Sequence, residues 1–175
     1  MSTTIVRHQP TISHQRKPKQ PKIALITTTI FVPKVLERFR QLGPDASIIV
    51  AGDKKTPHAE TRRFVESLGK AVYLSDADQT EMGYECSEII GWNKIMRRNL
   101  ALLEAIRQRP DIIISIDDDN LPLGDDYFGE MQSILGRPYS GIMASSPDNW
   151  FNIGSLLSPV IWHRGFSYEH RRPAV

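Results

Sequence analysis

Four short apolar runs, separated by segments with helical spacing, constrain the fold more than any other feature of this 175-residue sequence. The runs lie at residues 22–29, 47–51, 71–74 and 112–116. Each has the length of a strand, and such near-continuous apolar runs are typical of strands buried on both faces. Strands that alternate with helices build a mostly parallel sheet with helices on both faces. We therefore predict an α/β domain with a mostly parallel central sheet.

Helix start and stop signals lie between the runs and predict three short helices over residues 33–43, 56–69 and 124–135. The longest helix is predicted within residues 87–109. Six apolar residues recur there at helical spacing and are expected to face the core: Ile89, Trp92, Met96, Leu100, Leu103 and Ile106.

Charge is unevenly distributed along the chain, whose formal net charge is +2. Residues 1–22 carry five basic side chains and no acid. We predict a disordered basic tail over residues 1–21 and one domain over residues 22–175. A basic tail argues only weakly for nucleic acid, which we do not expect as a partner.

The single cysteine, Cys86, excludes an internal disulfide and suits a reducing compartment. No apolar run approaches the ~20 residues that a membrane span needs. We therefore expect a cytoplasmic protein without a membrane span.

Polar residues follow every predicted strand. They are Thr27, Thr28 and Thr29, then Asp53, then Asp76 and Asp78, and finally Asp117, Asp118 and Asp119. Ligands of open parallel sheets bind outside the carboxyl ends of the strands. We therefore expect these four strand ends to converge on one binding site.

Three consecutive aspartates, Asp117, Asp118 and Asp119, follow the last apolar run. Crowded carboxylates repel one another unless a cation neutralises them, and Mg²⁺ or Mn²⁺ prefers such oxygen ligands. Asp117 and Asp119 should point the same way, because side chains alternate along a strand. Metal or nucleotide binding is the favoured interpretation, and a solvated acidic turn is the alternative.

Basic residues on the predicted long helix supply the opposite charge. Lys94 and Arg98 are four residues apart and share a helix face, with Arg97 beside them. Cations near a metal-binding acid cluster suit a diphosphate, although a solvent-facing basic patch is the alternative. Neither a GxxxxGK[ST] loop nor a GxGxxG loop after the first strand is present, so neither a P-loop nor a dinucleotide-binding enzyme is indicated.

The stretch NKIMRRNLALLEAIRQRPDIIISIDDDN, residues 93–120, resembles the nucleotide-binding half of GT-A glycosyltransferases. That family pairs an Arg-Asn-containing helix with a strand ending in a DXD-type motif, here Arg98-Asn99 and residues 117–119. The sequence is most similar to the reversibly glycosylated polypeptide (UDP-arabinopyranose mutase) group and its STELLO-like relatives, which have an IDDD motif and a later RG[YF] element, here residues 164–166. The resemblance covers about residues 22–172.

The resemblance implies a Rossmann-like GT-A domain that binds a nucleoside diphosphate sugar. Base and ribose would contact Thr27, Thr28, Thr29 and Asp53, and the diphosphate would contact Lys94 and Arg98. Asp117 and Asp119 would hold Mn²⁺ or Mg²⁺, and Asp117 and Asp118 are further candidates for substrate contact.

The favoured function is therefore a metal-dependent glycosyltransferase that uses a nucleoside diphosphate sugar, preferably a UDP-sugar, and an unknown acceptor. Asp148 is the candidate general base, and Arg171, in the segment RGFSYEHR, matches the position of the reactive arginine of the mutases. The alternatives are a UDP-sugar mutase and a non-catalytic nucleotide-sugar-binding subunit. Assembly into a homo- or hetero-oligomer is left open.

Overall fold

The structure is a computed structural model that describes residues 5–6, 20–135, 143–144, 151–163 and 165–171. It divides into two compact units, residues 16–135 and residues 1–15 with 136–175. The strands are β1 (Ile5–Val6), β2 (Ile23–Thr29), β3 (Ser47–Gly52), β4 (Ala71–Leu74), β5 (Ile112–Ser115) and β6 (Met143–Ala144). The helices are α1 (Leu36–Leu42), α2 (His58–Ser67), α3 (Asp76–Glu81), α4 (Glu85–Ile90), α5 (Arg98–Arg107) and α6 (Tyr127–Ile134).

A parallel sheet with the strand order β4-β3-β2-β5 forms the centre of the larger unit. Ala24 pairs with Ser47 on one side of β2 and with Ile113 on the other. All four apolar runs form strands, which confirms the predicted α/β class and the parallel sheet. The chain builds outward from β2 through β3 to β4 and then returns to the opposite side of β2. The strand order therefore reverses between β2 and β5, which are neighbours in the sheet.

Helices cover both faces of this sheet. On one face, α1, α2 and α6 contribute to a core made of Leu25, Leu36, Phe39, Ile48, Val50, Val65, Tyr73, Ile114, Ile116 and Phe128. On the other face, α5 packs against β2 and β3 through Ala24, Ile26, Ile49, Ala51, Leu74, Ala101 and Ala105. Alternating strand residues therefore serve opposite cores, and the alanines allow α5 to lie close to the sheet.

The predicted long helix within residues 87–109 is wrong, because a turn divides it into α4 and α5. Gly91 has φ of 67° and Asn93 has φ of 58°, a left-handed conformation that ends a right-handed helix. A 3₁₀ turn at Ile95–Arg97 then leads into α5. Of the six expected core residues, Leu100 is fully buried, but Ile89, Met96 and Ile106 are exposed.

The three short helices are confirmed with tighter bounds. In α1, Leu36 and Phe39 are buried as their spacing predicts. Thr56 does not cap α2, because its hydroxyl donates to the carbonyl of Thr29 at 2.7 Å and accepts from the N–H of Asp53. The side chain of Thr56 therefore ties β2 to the end of β3.

In the smaller unit, β1 pairs antiparallel with β6, so residues 5–6 of the expected disordered tail form a short strand. Asn152 donates to the carbonyl of Ile161 at 2.8 Å, and the ring of Phe166 lies 5.2 Å from the ring of Trp162. Among the described residues, no helix is long and apolar enough to cross a membrane.

Candidate functional site

A cavity of about 410 Å³ opens at the carboxyl ends of β2, β3 and β5. It lies where the strand order reverses between β2 and β5, the place at which open parallel sheets bind ligands. Its lining consists of Thr28, Thr29, Ile30, Phe31, Asp53, Lys55, Asn93, Lys94, Ile95, Arg98, Asp117, Asp118 and Asp119. Of the predicted site residues, this lining brings together Thr28, Thr29, Asp53, Lys94, Arg98 and the aspartates at 117–119.

The end of β2 contributes two of its three threonines. Thr28 donates to the carbonyl of Ala51 at 2.8 Å, and Thr29 donates to the carbonyl of Phe31 at 2.7 Å. Thr27 is fully buried and is absent from the cavity lining. Thr27 thus lies in the sheet, while Thr28 and Thr29 shape the cavity wall.

Asp53 follows β3 and is only 2% exposed. Its Oδ1 accepts the backbone N–H of Lys54 at 2.7 Å and that of Asn93 at 2.9 Å, and its Oδ2 accepts the N–H of Lys94 at 3.2 Å. The carboxylate therefore joins the end of β3 to the turn that precedes α5.

The aspartates lie in a turn just beyond β5 rather than on the strand. Ile116 still donates its N–H to Ile26 at 3.1 Å, and the N–H of Asn120 returns to the carbonyl of Asp117 at 3.3 Å. Asp117 and Asp119 are exposed at the cavity, and Asp118 is half-buried. In the described part of the chain, Asp118 and Asp119 make no hydrogen bond or ion pair.

Arg98, the first residue of α5, donates through Nη2 to Asp117 and through Nη1 to Ser115 at 3.1 Å. Its Nε is buried without a hydrogen-bond partner. Lys94 also lines the cavity, but it precedes the 3₁₀ turn instead of sharing a helix face with Arg98. Lys94 and Arg98 therefore both line the cavity, but they do so from a turn and a helix start instead of from one continuous helix.

The end of β4 does not join the other three strand ends. Ser75 and Asp78 form a capping box that starts α3, and Asp78 pairs with Arg62 at 2.5 Å. Burial acts to raise the pKa of Asp78, but hydrogen bonds from Ser75 and Arg62 hold it below its ordinary value. Asp76 lies 3.1 Å from His58. The expected convergence of four strand ends is therefore wrong for β4.

Comparison with known proteins adds no family to this geometry. No family model and no curated protein matches the chain. Its chemistry therefore has to be inferred from the cavity. Carboxylates together with ammonium and guanidinium groups in one cavity suit a ligand that carries both negative phosphates and a divalent cation.

The two candidate catalytic residues belong to the smaller unit. Asp148 lies outside the described residues, as does Arg164 of the RG[YF] element. Arg171 places its guanidinium carbon 3.8 Å from the ring centroid of Tyr168, and its Nη2 donates to the carbonyl of Phe166 at 3.1 Å. These contacts hold the side chain of Arg171 within its own unit.

Sequence reasoning missed a buried polar network at the turn between α4 and α5. Arg97 is fully buried, with its guanidinium carbon 3.8 Å from the ring centroid of Trp92. Its Nη2 and Nε donate to Gln79 at 2.6 and 2.9 Å, and its Nη1 donates to Ser87. Gln79 donates to the carbonyls of β3 and β4 at Gly52 and Leu74. No local signal distinguishes Arg97 from its neighbour Arg98 as the buried residue.

Proposed function

We propose that this chain is a metal-dependent glycosyltransferase domain of the Rossmann-like GT-A type that uses a nucleoside diphosphate sugar, preferably a UDP-sugar. The observation that carries the proposal is the cavity at the reversal of strand order, whose lining combines the basic residues Lys55, Lys94 and Arg98 with the carboxylates of residues 117–119. The likeness of residues 93–120 to such enzymes supports the same assignment.

The side chains of this cavity divide by chemistry. Lys94 and Arg98 would bind the diphosphate, since guanidinium and ammonium groups donate strong hydrogen bonds to phosphate oxygens. Ile30, Phe31 and Ile95 are exposed apolar residues of the lining and offer contact to the faces of a nucleobase. The cavity thus provides both a polar and an apolar wall for a nucleotide.

The donor set fits a hard divalent cation. Among the described residues no three His, Cys, Asp or Glu side chains cluster closely enough to enclose a metal ion. Mg²⁺ and Mn²⁺, however, are commonly held by one or two carboxylates together with phosphate oxygens. Asp119 and Asp117 would supply these carboxylates. A bound cation would neutralise charge on the departing nucleoside diphosphate.

A neighbouring cavity of about 630 Å³ would accommodate the acceptor next to the donor. It shares Arg98, Asp117 and Asp119 with the first cavity, and its other walls include the apolar side chains of Leu123 and Met131. In the proposed reaction, the bond from the sugar to the diphosphate breaks and a bond to the acceptor forms. The shared residues would border both partners.

Thermal unfolding with UDP-sugar, in the presence and absence of Mn²⁺ or Mg²⁺, tests the proposal. We expect UDP-sugar to raise the melting temperature only when the cation is present, because binding to the folded state alone stabilises it. Asp119→Asn should abolish the increase. Asp45→Asn is the matched control, because Asp45 is exposed and pairs with Lys70 outside the cavity.

Loss of the increase in both variants, or its persistence in Asp119→Asn, would contradict the metal assignment. Absence of any effect of UDP-sugar on the wild type would refute nucleotide-sugar binding. Binding without sugar transfer or hydrolysis would instead assign a non-catalytic binding subunit.

A further inference from the structure

Asp53 lines the candidate cavity, yet its carboxylate is largely occupied by the protein itself. It accepts three backbone N–H groups, from Lys54, Asn93 and Lys94, over distances of 2.7–3.2 Å. A carboxylate offers about four acceptor sites, so little capacity is left for a ligand. At 2% exposure, Asp53 is also poorly placed to exchange these partners.

The turn that Asp53 binds needs such an anchor. Asn93 has a left-handed φ of 58°, and residues 93–96 are exposed, so their side chains bury little apolar surface. Hydrogen bonds to a charged acceptor are stronger than those between neutral groups. The buried carboxylate therefore fixes the main chain of Asn93 and Lys94 where packing does not.

A buried cation holds the other end of the same turn. Arg97 is fixed through Gln79 and Ser87, and in the described part of the chain neither Arg97 nor Asp53 has an ion-pair partner. Burial lowers the pKa of Arg97, while the negative charge of Asp53 acts in the opposite direction. Residues 93–97 are thus anchored at the start by an anion and at the end by a cation.

We propose that Asp53 is a positioning residue that fixes the Asn93–Lys94 main chain and thereby places Lys94 in the cavity, without itself binding the ligand. This inference rests on the proposed nucleotide-binding function for its effect on affinity. Its structural part, the anchoring of the turn, does not depend on any ligand.

Trypsin cleavage after Lys94, followed by mass spectrometry under native conditions, tests the anchoring directly. Asp53→Asn should accelerate cleavage there by about tenfold relative to cleavage after Arg38 on α1, because local opening exposes the turn. Asp78→Asn is the matched control: Asp78 also accepts a backbone N–H at a strand end, from Ser75, but lies outside the cavity. An equal increase at both cleavage sites, or none at Lys94, would overturn the anchoring.

A second pair of variants tests the same turn if Asp53→Asn folds poorly. Asn93→Gly keeps the backbone N–H and tolerates the left-handed conformation, so cleavage should match that of the wild type. Asn93→Ala disfavours that conformation and should accelerate cleavage after Lys94. Identical cleavage rates in the two variants would contradict a conformational anchor.

Calorimetric titration with UDP and Mg²⁺ distinguishes positioning from direct contact. Asp53→Asn and Lys94→Ala should each weaken UDP binding by about tenfold, and the double variant should be no weaker than the weaker single variant. If the affinity of the double variant falls by the product of the two single losses, Asp53 contacts the ligand independently of Lys94. If wild-type protein binds no UDP, the proposed function fails, and the trypsin comparison alone decides whether Asp53 anchors the turn.

Discussion

Arg98 and Asp117 form an ion pair at the junction of two cavities, and both side chains line each cavity. The side chain of Asp117 is 50% exposed, so solvent screens the attraction, and the pair contributes little to the folding free energy. The same two groups are the ones proposed to meet a diphosphate and a cation. Under the proposed function, their pairing would affect ligand binding more than stability.

Replacement of Asp117 by Asn should separate these two effects. We expect the free energy of unfolding to change by less than about 1 kcal/mol, because exposed ion pairs are weak. Cation-dependent stabilisation by UDP should fall strongly, because one of the two proposed metal carboxylates is lost. Urea denaturation and calorimetry measure the two quantities; a large loss of stability with intact UDP binding would contradict the assignment.

Gly52 should not tolerate a side chain. A Cβ at this position would lie 2.2 Å from the hydroxyl oxygen of Tyr73, so Gly52→Ala should cost about 1–3 kcal/mol of unfolding free energy in urea denaturation. Tyr73→Phe removes that oxygen and should recover part of the loss. Gly124→Ala is the control, since its nearest neighbour would be Glu130 at 3.6 Å. Equal effects at Gly52 and Gly124 would rule out the steric explanation.

Tyr73 should also make the protein sensitive to alkali. Burial raises the pKa of Tyr73 to about 12. Because the unfolded phenol ionises near pH 10, this group's contribution is complete below pH 10 and is lost as pH rises through about 12. Denaturation from pH 9 to 12 should show a shallower decline in stability for Tyr73→Phe. If the stability of the wild type and of Tyr73→Phe declined in parallel with pH, Tyr73 would not be the cause of the alkaline sensitivity.

Arg97→Met should destabilise the protein because it removes the hydrogen bonds that the guanidinium donates to its partners. The side-chain oxygen of Gln79 would lose both of its donors, which costs about 1–3 kcal/mol for a buried polar group left unsatisfied. The fluorescence of Trp92 should change as well, because the guanidinium lies 3.8 Å from its ring centroid. Arg107→Met serves as the exposed control. Comparable stability in the two variants would show that the network is dispensable.

The strands could be predicted because each is an apolar run bounded by polar residues, which is local information. The division between α4 and α5 was missed, because apolar residues from Ile89 to Ile106 keep helical spacing across Gly91 and Asn93. The spacing of apolar residues carries no information on the positive φ of the single residues Gly91 and Asn93, which ends the first helix.

The candidate site shows the same limit. Three strand ends could be placed by the rule for parallel sheets, and residues of all three line the cavity. Lys94 and Arg98 also line it, although the continuous helix predicted to carry them is wrong. The contacts of Asp53 with Asn93 and Lys94 could not be predicted, because these two residues are about 40 positions away in sequence. The departure of β4 was readable in principle, since Ser75 and Asp78 have the spacing of a capping box.

The bonds of Gln79 have a consequence for how this sequence can diverge. One amide accepts from Arg97 and donates to the carbonyls of Gly52 and Leu74, so neither Gln79 nor Arg97 can be replaced alone without stranding buried polar atoms. We expect positions 79 and 97 to change together in related sequences. Correlated changes at positions 79 and 97 would then identify a distant relative more reliably than the aspartates at 117–119, because runs of aspartate also occur in unrelated acidic loops.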